Sequence, residues 1–335
     1  MTETKKISIK EIAEMAGVSV SAVSRYLNNG YVSEGKKAAI KEAIEKTGYL
    51  PSKQAQVLRS RKTKLIGVIV PKLRSEAISY VADGIMSVLN DTDYHILFAD
   101  TQGDLKKEIS YLGLFDNNPV DGIILSGTCF TKMHRNALKK ISVPVVIAGQ
   151  KFDGYPCVYH DDLGSAKALT QHLIDVGCKK ICCIGVNQED KAAGYDRVKG
   201  YRQALTANRR KFSDEMYAES EFSIEGGYAC AEQLASANKD MDGLFCATDS
   251  IAIGAMQRLK ELGLRVPEDV KVVGVGHNRI SRVVSPRLTT AHLYYKNCGM
   301  ESAKLLLEMI ASGQLTDKQI QLGYEIVQGD SSKAD

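Results

Sequence analysis

From Leu65 onward the chain alternates short apolar runs with helical patterns, and that alternation narrows the possible folds more than any other feature of it. Segments 65–70, 95–99, 122–125 and 144–148 read as strands, because near-continuous apolar runs suit a sheet covered on both faces. Segments 78–89, 105–115 and 132–140 between them carry the three-to-four-residue spacing of helices. Repetition of strand, helix, strand predicts a parallel sheet with helices on both sides. After a break near 154–161 the pattern restarts, with strands at 180–184, 243–247 and 271–275 and helices at 164–176, 195–207, 226–237 and 250–262. Two doubly wound parallel sheets are expected, hence a two-lobed α/β core. Segment 288–293 should cross back between the lobes, 297–310 and 319–327 should complete them, and 329–335 reads as a loose tail. The expected first lobe is 63–161 plus 294–320, and the second is 162–290 plus 321–328. Two lobes around a cleft are suited to closing on a small solute, which sits beyond the carboxyl ends of parallel strands.

Ahead of this body the texture differs. Ser8-Ile9-Lys10-Glu11 is a Ser-x-x-Glu pattern suited to a capping box, and Ile9, Ile12, Ala13 and Ala16 share one face, so 9–16 is predicted to be a short helix. Gly17 supplies a turn. Ser19 can cap a second helix, 20–28, with Val23 and Leu27 turned inward. A third helix opens at Ser33-Glu34, carries Ala38, Ile40, Ala43 and Ile44 on its apolar side, and ends at Gly48. Two short helices joined by a tight glycine turn predict a helix-turn-helix, whose second member enters the DNA major groove. The solvent face of that member carries Ser21, Ser24, Arg25 and Asn28, and Arg25 has the planar fork that matches guanine.

Charge supports the same reading. Residues 1–62 hold twelve Lys/Arg against six Asp/Glu, a net +6, whereas the rest of the chain comes to −2. A short basic module on a near-neutral body is the electrostatic footprint of a DNA-binding head. Neither half holds an apolar run approaching the ~20 residues of a membrane span. The polar N-terminus argues for a cytoplasmic protein. Eight cysteines without Cys-x-x-Cys spacing point to buried thiols, and six scattered histidines give no metal-ligand pattern.

The motifs Ile9-Lys10-Glu11-Ile12-Ala13, Ala16-Gly17-Val18-Ser19, Val23-Ser24-Arg25, Leu27-Asn28 and Gly48-Tyr49-Leu50-Pro51, with Ala55 and Leu58 beyond, resemble the head of the lac repressor/galactose repressor family of bacterial transcription regulators. The resemblance runs through nearly the whole chain. It implies a helix-turn-helix head over 1–48, a hinge helix within 49–62, and a periplasmic-binding-protein-like core over 63–335. It also implies a homodimer on a palindromic operator, because no leucine heptad follows Val327. Ser8, Val20, Ser21, Ser24, Arg25 and Asn28 become the DNA-facing residues of the head. Ala55 and Leu58 become those of the hinge, with Leu58 wedged into the minor groove.

In the core, Arg197-Val198-Lys199-Gly200 matches the family's Arg-x-x-Gly motif, so the resemblance implies that Arg197 holds a sugar or sugar phosphate by paired hydrogen bonds. Phe222 and Tyr295 fall where the family supplies apolar faces for the ligand, and Asp161 matches a recurring acid. Ser75, Ser79 and Lys191 are further candidates, and Asp249 either caps a helix or faces the cleft. One departure is plain. The family's ligand-orienting aspartate is Gly276 here, within Gly274-Val275-Gly276-His277-Asn278, leaving His277 or Asn278 to substitute. The 71–79, 159–162 and 279–282 stretches look most like sucrose- or glucoside-responsive members. A sugar-binding protein or an α/β enzyme with no DNA role are the rival expectations. The enzyme lacks support from any phosphate loop, nucleophile elbow, metal set or implied cofactor.

Overall fold

A computed structural model describes residues 7–28, 30–49, 62–117 and 120–333. The chain falls into two compact units, 1–63 and 64–335.

The first unit holds three helices, α1 (Ile9–Met15), α2 (Val20–Leu27) and α3 (Glu34–Thr47). The capping box forms as expected: the Ser8 amide donates to Glu11 Oε2 at 2.6 Å and the Glu11 amide to Ser8 Oγ at 3.4 Å. Ser19 caps α2 through the Ala22 amide, whereas the Ser33 side chain makes no such bond at the start of α3. Gly17 and Gly48 take φ of +61° and +63°, the left-handed conformation that glycine enters without a Cβ penalty. Ile12, Val23 and Ile40, one from each helix, are fully buried together. Ala38, expected inward, is exposed.

The second unit contains two six-stranded sheets. In chain order its elements begin β1 (Leu65–Val70), α4 (Glu76–Leu89), β2 (His95–Asp100), α5 (Leu105–Asn117), β3 (Gly122–Leu125), α6 (Lys132–Leu138), β4 (Val145–Ala148) and β5 (Cys157–His160). They continue through α7 (Asp162–Asp175), β6 (Ile181–Gly185), a π-helical turn (Lys191–Asp196), α8 (Arg197–Ala207), β7 (Tyr217–Glu219), α9 (Ile224–Ala237), β8 (Gly243–Cys246) and α10 (Asp249–Glu261). Last come β9 (Lys271–Val275), α11 (Arg279–Val283), β10 (Thr289–Leu293), α12 (Tyr295–Ser312), β11 (Gln319–Leu322) and β12 (Tyr324–Val327). The sheet orders are β11-β5-β4-β3-β1-β2 and β12-β10-β9-β8-β6-β7. Every pairing is parallel except β10 with β12.

Side-chain alternation explains the layering. In the first lobe Ile66, Val68 and Val70 point to one face, beneath α4 and α12, while Ile69 points to the other, beneath α5 and α6. A strand buried on both sides therefore looks continuously apolar in sequence. The chain passes between the lobes three times: after β5, after β10 and between β11 and β12.

Three expectations change. Segment 288–293 is not itself the return crossing: Thr289–Leu293 is a strand of the second sheet, and the crossing follows it. The break near 154–161 contains β5, which pairs with β4 just before it and with the distant β11. The tail is not loose up to Lys333. Ser331 and Ser332 are buried, with Ser331 Oγ donating to Val272 O at 2.6 Å and the Thr289 amide donating to Ser331 Oγ at 2.9 Å.

Candidate functional site

In the head, the second helix presents Ser21, Arg25 and Asn28 to solvent, on the side away from buried Ala22 and Val23. Ser24 is half-buried on the same helix, and Val20 packs partly against the helical core. Arg25 Nε reaches only the Ser21 carbonyl at 3.4 Å, and Asn28 Nδ2 donates to the Ser24 carbonyl at 2.6 Å. The guanidinium fork thus stays available at the surface. Ser8 is exposed, but its hydroxyl and its amide are both engaged in the capping box of α1. Ala55 and Leu58 lie outside the described residues.

In the core, the carboxyl ends of the strands lead to a cavity of about 310 Å³ between the lobes. Gln150, Lys151, Tyr159 and His160 line it from the first lobe, while Asp162, Lys191, Ala192 and Asp196 line it from the second. Arg197 stands behind this wall, only 5% exposed. Its Nε and Nη2 donate to Asp162 Oδ1 at 2.8 and 2.7 Å, and Nη1 donates to the Ala247 carbonyl at 2.5 Å. Burial opposes the charge on Arg197, but Asp162 and a hydrogen bond to Tyr295 outweigh it and hold the pKa raised. A guanidinium placed this way is a fixed, oriented set of donors, since its rotamer is settled before any ligand arrives.

Of the residues singled out from sequence, Asp161 and Lys191 line the cavity itself. Asp161 also caps α7, accepting from the Gly164 amide at 2.8 Å, and Lys191 pairs with Asp196 at 3.3 Å. Tyr295, expected to offer a ring face, instead bonds Arg197 through its side chain and meets the His160 ring edge-on at 5.1 Å. Ser75 caps α4 by position, and Ser79 spends its hydroxyl on the Leu73 and Ser75 carbonyls. Phe222 is 43% exposed on the bend before α9. Neither these three nor Asp249 and His277 line the cavity.

Asp249 neither caps α10, a task that falls to Thr248, nor faces open space. It is fully buried, accepting from Thr290 Oγ1 at 2.5 Å and the Asn278 amide at 2.7 Å. Burial pushes its carboxyl up to about 6. Gly276, at φ +140°, lies beside it: a Cβ there would sit 3.2 Å from Asn278 Oδ1 and 3.4 Å from Asp249 Oδ2. Asn278 thus occupies the space a side chain at 276 would need. His277 takes a φ of +55° and packs edge-on against His292, with burial lowering its pKa.

Sequence reasoning missed two buried acids, Asp162 in the cavity wall and Asp190 beside it. Asp190, 5% exposed, accepts from the Ala192 and Ala193 amides at 3.1 and 2.9 Å and from Gln150 Nε2, across the lobes, at 3.2 Å. Burial pushes its carboxyl up to about 6. A local signal for Asp190 is its place as N-cap directly before the 191–196 turn, but Gln150 is remote in sequence. A second bridge joins the lobes where the Arg279 amide donates to Glu76 Oε1 at 2.8 Å.

The cysteines among the described residues are free, all buried but Cys129, and no cluster of His, Cys, Asp or Glu there could hold a metal. Among the described residues no helix is long and apolar enough to cross a membrane.

Comparison with known proteins bears on this arrangement. Residues 8–52 match the model for bacterial regulatory proteins of the lacI family, and residues 170–332 match a periplasmic binding protein-like domain. The sucrose operon repressor of Staphylococcus xylosus is 32% identical over 95% of this chain and 98% of its own length. The chain belongs to the lacI family. Catabolite control protein A of Priestia megaterium is 30% identical over 98% of the chain and 99% of its own. Among solved structures, a complex of the transcriptional regulator CelR with cellobiose superposes with a TM-score of 0.75 at 26% identity, covering 97% of this chain and 99% of that one. This lacI-family chain therefore joins a DNA-binding helix-turn-helix to a two-lobed regulatory core, as its head motifs implied.

Proposed function

We propose that this lacI-family chain is a cytoplasmic, non-enzymatic repressor whose affinity for a palindromic operator is switched by a sugar or sugar phosphate held between the lobes. The observation that carries the reading is the Arg197 site. A buried, pre-oriented guanidinium stands behind Asp162, in the wall of a cavity lined by both lobes, in the same chain as a helix offering Ser21, Arg25 and Asn28 to solvent. Residues from two lobes around one ligand make ligand affinity depend on lobe arrangement. A ligand can shift such an equilibrium only by its difference in affinity for the two arrangements, typically ~1–3 kcal/mol. The names of the relatives, a sucrose operon repressor and a cellobiose-bound regulator, favour a carbohydrate.

A homodimer fits the same picture. The edge strand β2 exposes Leu97 and Phe98, α4 exposes Met86, and α11 exposes Val283, which is 81% accessible. Apolar side chains beside an unpaired strand edge are a ready surface for a second copy. Two heads then read two half-sites about one helical turn apart. Ala55 and Leu58, in the hinge segment, complete the proposed DNA contact.

Fluorescence anisotropy on a labelled palindromic operator library, at fixed salt and with a panel of sugars and sugar phosphates, tests the whole reading. Sequence-selective binding that one carbohydrate weakens at least fivefold is expected. Selective binding that a compound strengthens would turn the inducer into a corepressor, and absence of selective binding would return the chain to the sugar-binding or enzymatic alternatives.

A further inference from the structure

A second groove, of about 530 Å³, runs along the outer side of the second lobe. Lys167 of α7, Gln188 and Tyr195 around the π-helical turn, and Lys199, Arg202 and Thr206 of α8 line it. Three of the nine lining residues are cationic, and no Asp or Glu lines the groove. Some other cations of this lobe find carboxylates: Lys180 pairs with Asp240, Arg258 with Glu232 and Arg265 with Asp269. Lys167, Lys199 and Arg202 have no ion-pair partner among the described residues. Lys199 lies 5.7 Å from the Tyr195 ring centroid, and Arg202 lies 4.3 Å from that of Phe212. Three uncompensated cations converging on one concavity raise the local positive potential and concentrate anions there. The volume is that of a small-molecule site.

The groove shares a wall with the cleft. The turn Lys191–Asp196 is π-helical, with the Tyr195 amide donating to the Asp190 carbonyl at 2.8 Å, a geometry that concentrates at functional sites. Tyr195 faces the groove, whereas Lys191, Ala192 and Asp196 face the inter-lobe cavity. Lys191 lies 4.4 Å from the Tyr195 ring centroid, so the two faces touch through side chains as well as backbone. Gly194 packs against the Asn187 carbonyl so closely that a Cβ would lie 2.0 Å from its oxygen. That contact holds the turn to the strand-end loop behind it.

We propose that the outer groove is a second ligand site, selective for an organic phosphate and coupled to the inter-lobe cavity through the 191–196 turn. A phosphate carries the two negative charges and the planar face of oxygens that one arginine fork and two lysines can satisfy together. The site does not depend on what the cleft binds.

Calorimetric titration of the full-length protein with inorganic pyrophosphate reads the site directly. Saturable binding is expected, weakened at least tenfold in the Lys199→Gln/Arg202→Gln double variant. Both side chains are exposed, so the variant should fold, which circular dichroism checks. Lys151→Gln, in the cleft, should change the affinity less than threefold. Binding lost in Lys151→Gln but retained in the double variant would place the anion in the cleft and overturn the proposal. Absence of saturable binding, or binding that neither variant changes, would overturn it too. Binding of an acidic peptide but not of pyrophosphate would make the groove a protein-docking face instead. Hydrogen exchange reads the coupling: amides 191–196 should gain at least threefold protection with pyrophosphate in the wild type and none in the double variant. Unchanged exchange in the wild type would refute the coupling.

Discussion

Arg25 and Arg197 show how the same side chain takes opposite roles according to burial. Arg25 is exposed, with one weak bond to its own helix, so its fork remains free for a base edge. Arg25→Ala should relax base preference at one operator position and cost ~1–3 kcal/mol; equal discrimination among operator variants before and after the change would remove it from the readout. Arg197 is buried and already held in place by Asp162, the Ala247 carbonyl and Tyr295. Its position was legible from the Arg-x-x-Gly motif, but its partners were not, because they come from three different elements. Asp190 offers a cleaner test of buried charge. Its folded pKa, about 6, lies above the ordinary aspartate value of 3.8. Its stabilising contribution is therefore full in acid and is lost as pH rises through that window. Asp190→Asn keeps the accepting Oδ1 and removes the charge. The variant should match the wild type near pH 4 and exceed it by ~2–3 kcal/mol above pH 7, as read from urea midpoints. A pH-independent difference would mean that the carboxyl is hydrated rather than buried.

Among the elements, the helix pair α4–α12 depends on two reciprocal glycines. A Cβ on Gly84 would lie 2.0 Å from the Lys296 carbonyl oxygen, and one on Gly299 would lie 2.0 Å from the Val81 carbonyl oxygen. The two backbones touch where side chains would otherwise hold them apart. Gly84→Val should therefore destabilise the core by at least ~1–3 kcal/mol, since neither backbone can yield locally. Gly113, in α5, meets nothing within 4 Å of an added Cβ, so Gly113→Ala should be neutral or stabilise by ~0.5–1 kcal/mol. Denaturant midpoints of the two variants moving in the same direction would contradict this account. Elements of this kind separate what sequence shows from what it hides. The strands β1, β3 and β4 were legible because burial on both faces makes them uniformly apolar. The strand β5 was passed over as a break, and β11 carries the alternating burial of a sheet edge, which is weak over four residues. The capping box of α1 was legible because both of its partners lie within four residues.

For the molecule as a whole, charge and chain path divide the labour. The basic excess is confined to residues 1–62, whereas the rest is slightly acidic. Operator binding should thus weaken by at least ~10²-fold between 50 and 200 mM salt, because counterions released into more concentrated salt gain less entropy. Affinity for a neutral sugar in the cleft should hardly change over the same range. Titrations of both ligands at the two salt concentrations test this, and parallel losses would show that the DNA contact is not mainly electrostatic.

The three passages between the lobes carry a consequence for how the protein is made. When the ribosome has released β1 to β5, the first sheet still lacks its edge strand β11 and the covering helix α12. Ile66, Val68 and Ile124 then have no Leu305, Leu306 or Met309 to pack against. At ~5–20 residues per second, the intervening stretch leaves that face covered by α4 alone for roughly seven to thirty seconds. The head, whose core is drawn from 12 to 43, needs nothing from later in the chain. During synthesis the cell therefore holds a finished DNA-reading module on an unfinished, sticky half-sheet, which makes this interval the natural point of call for a chaperone.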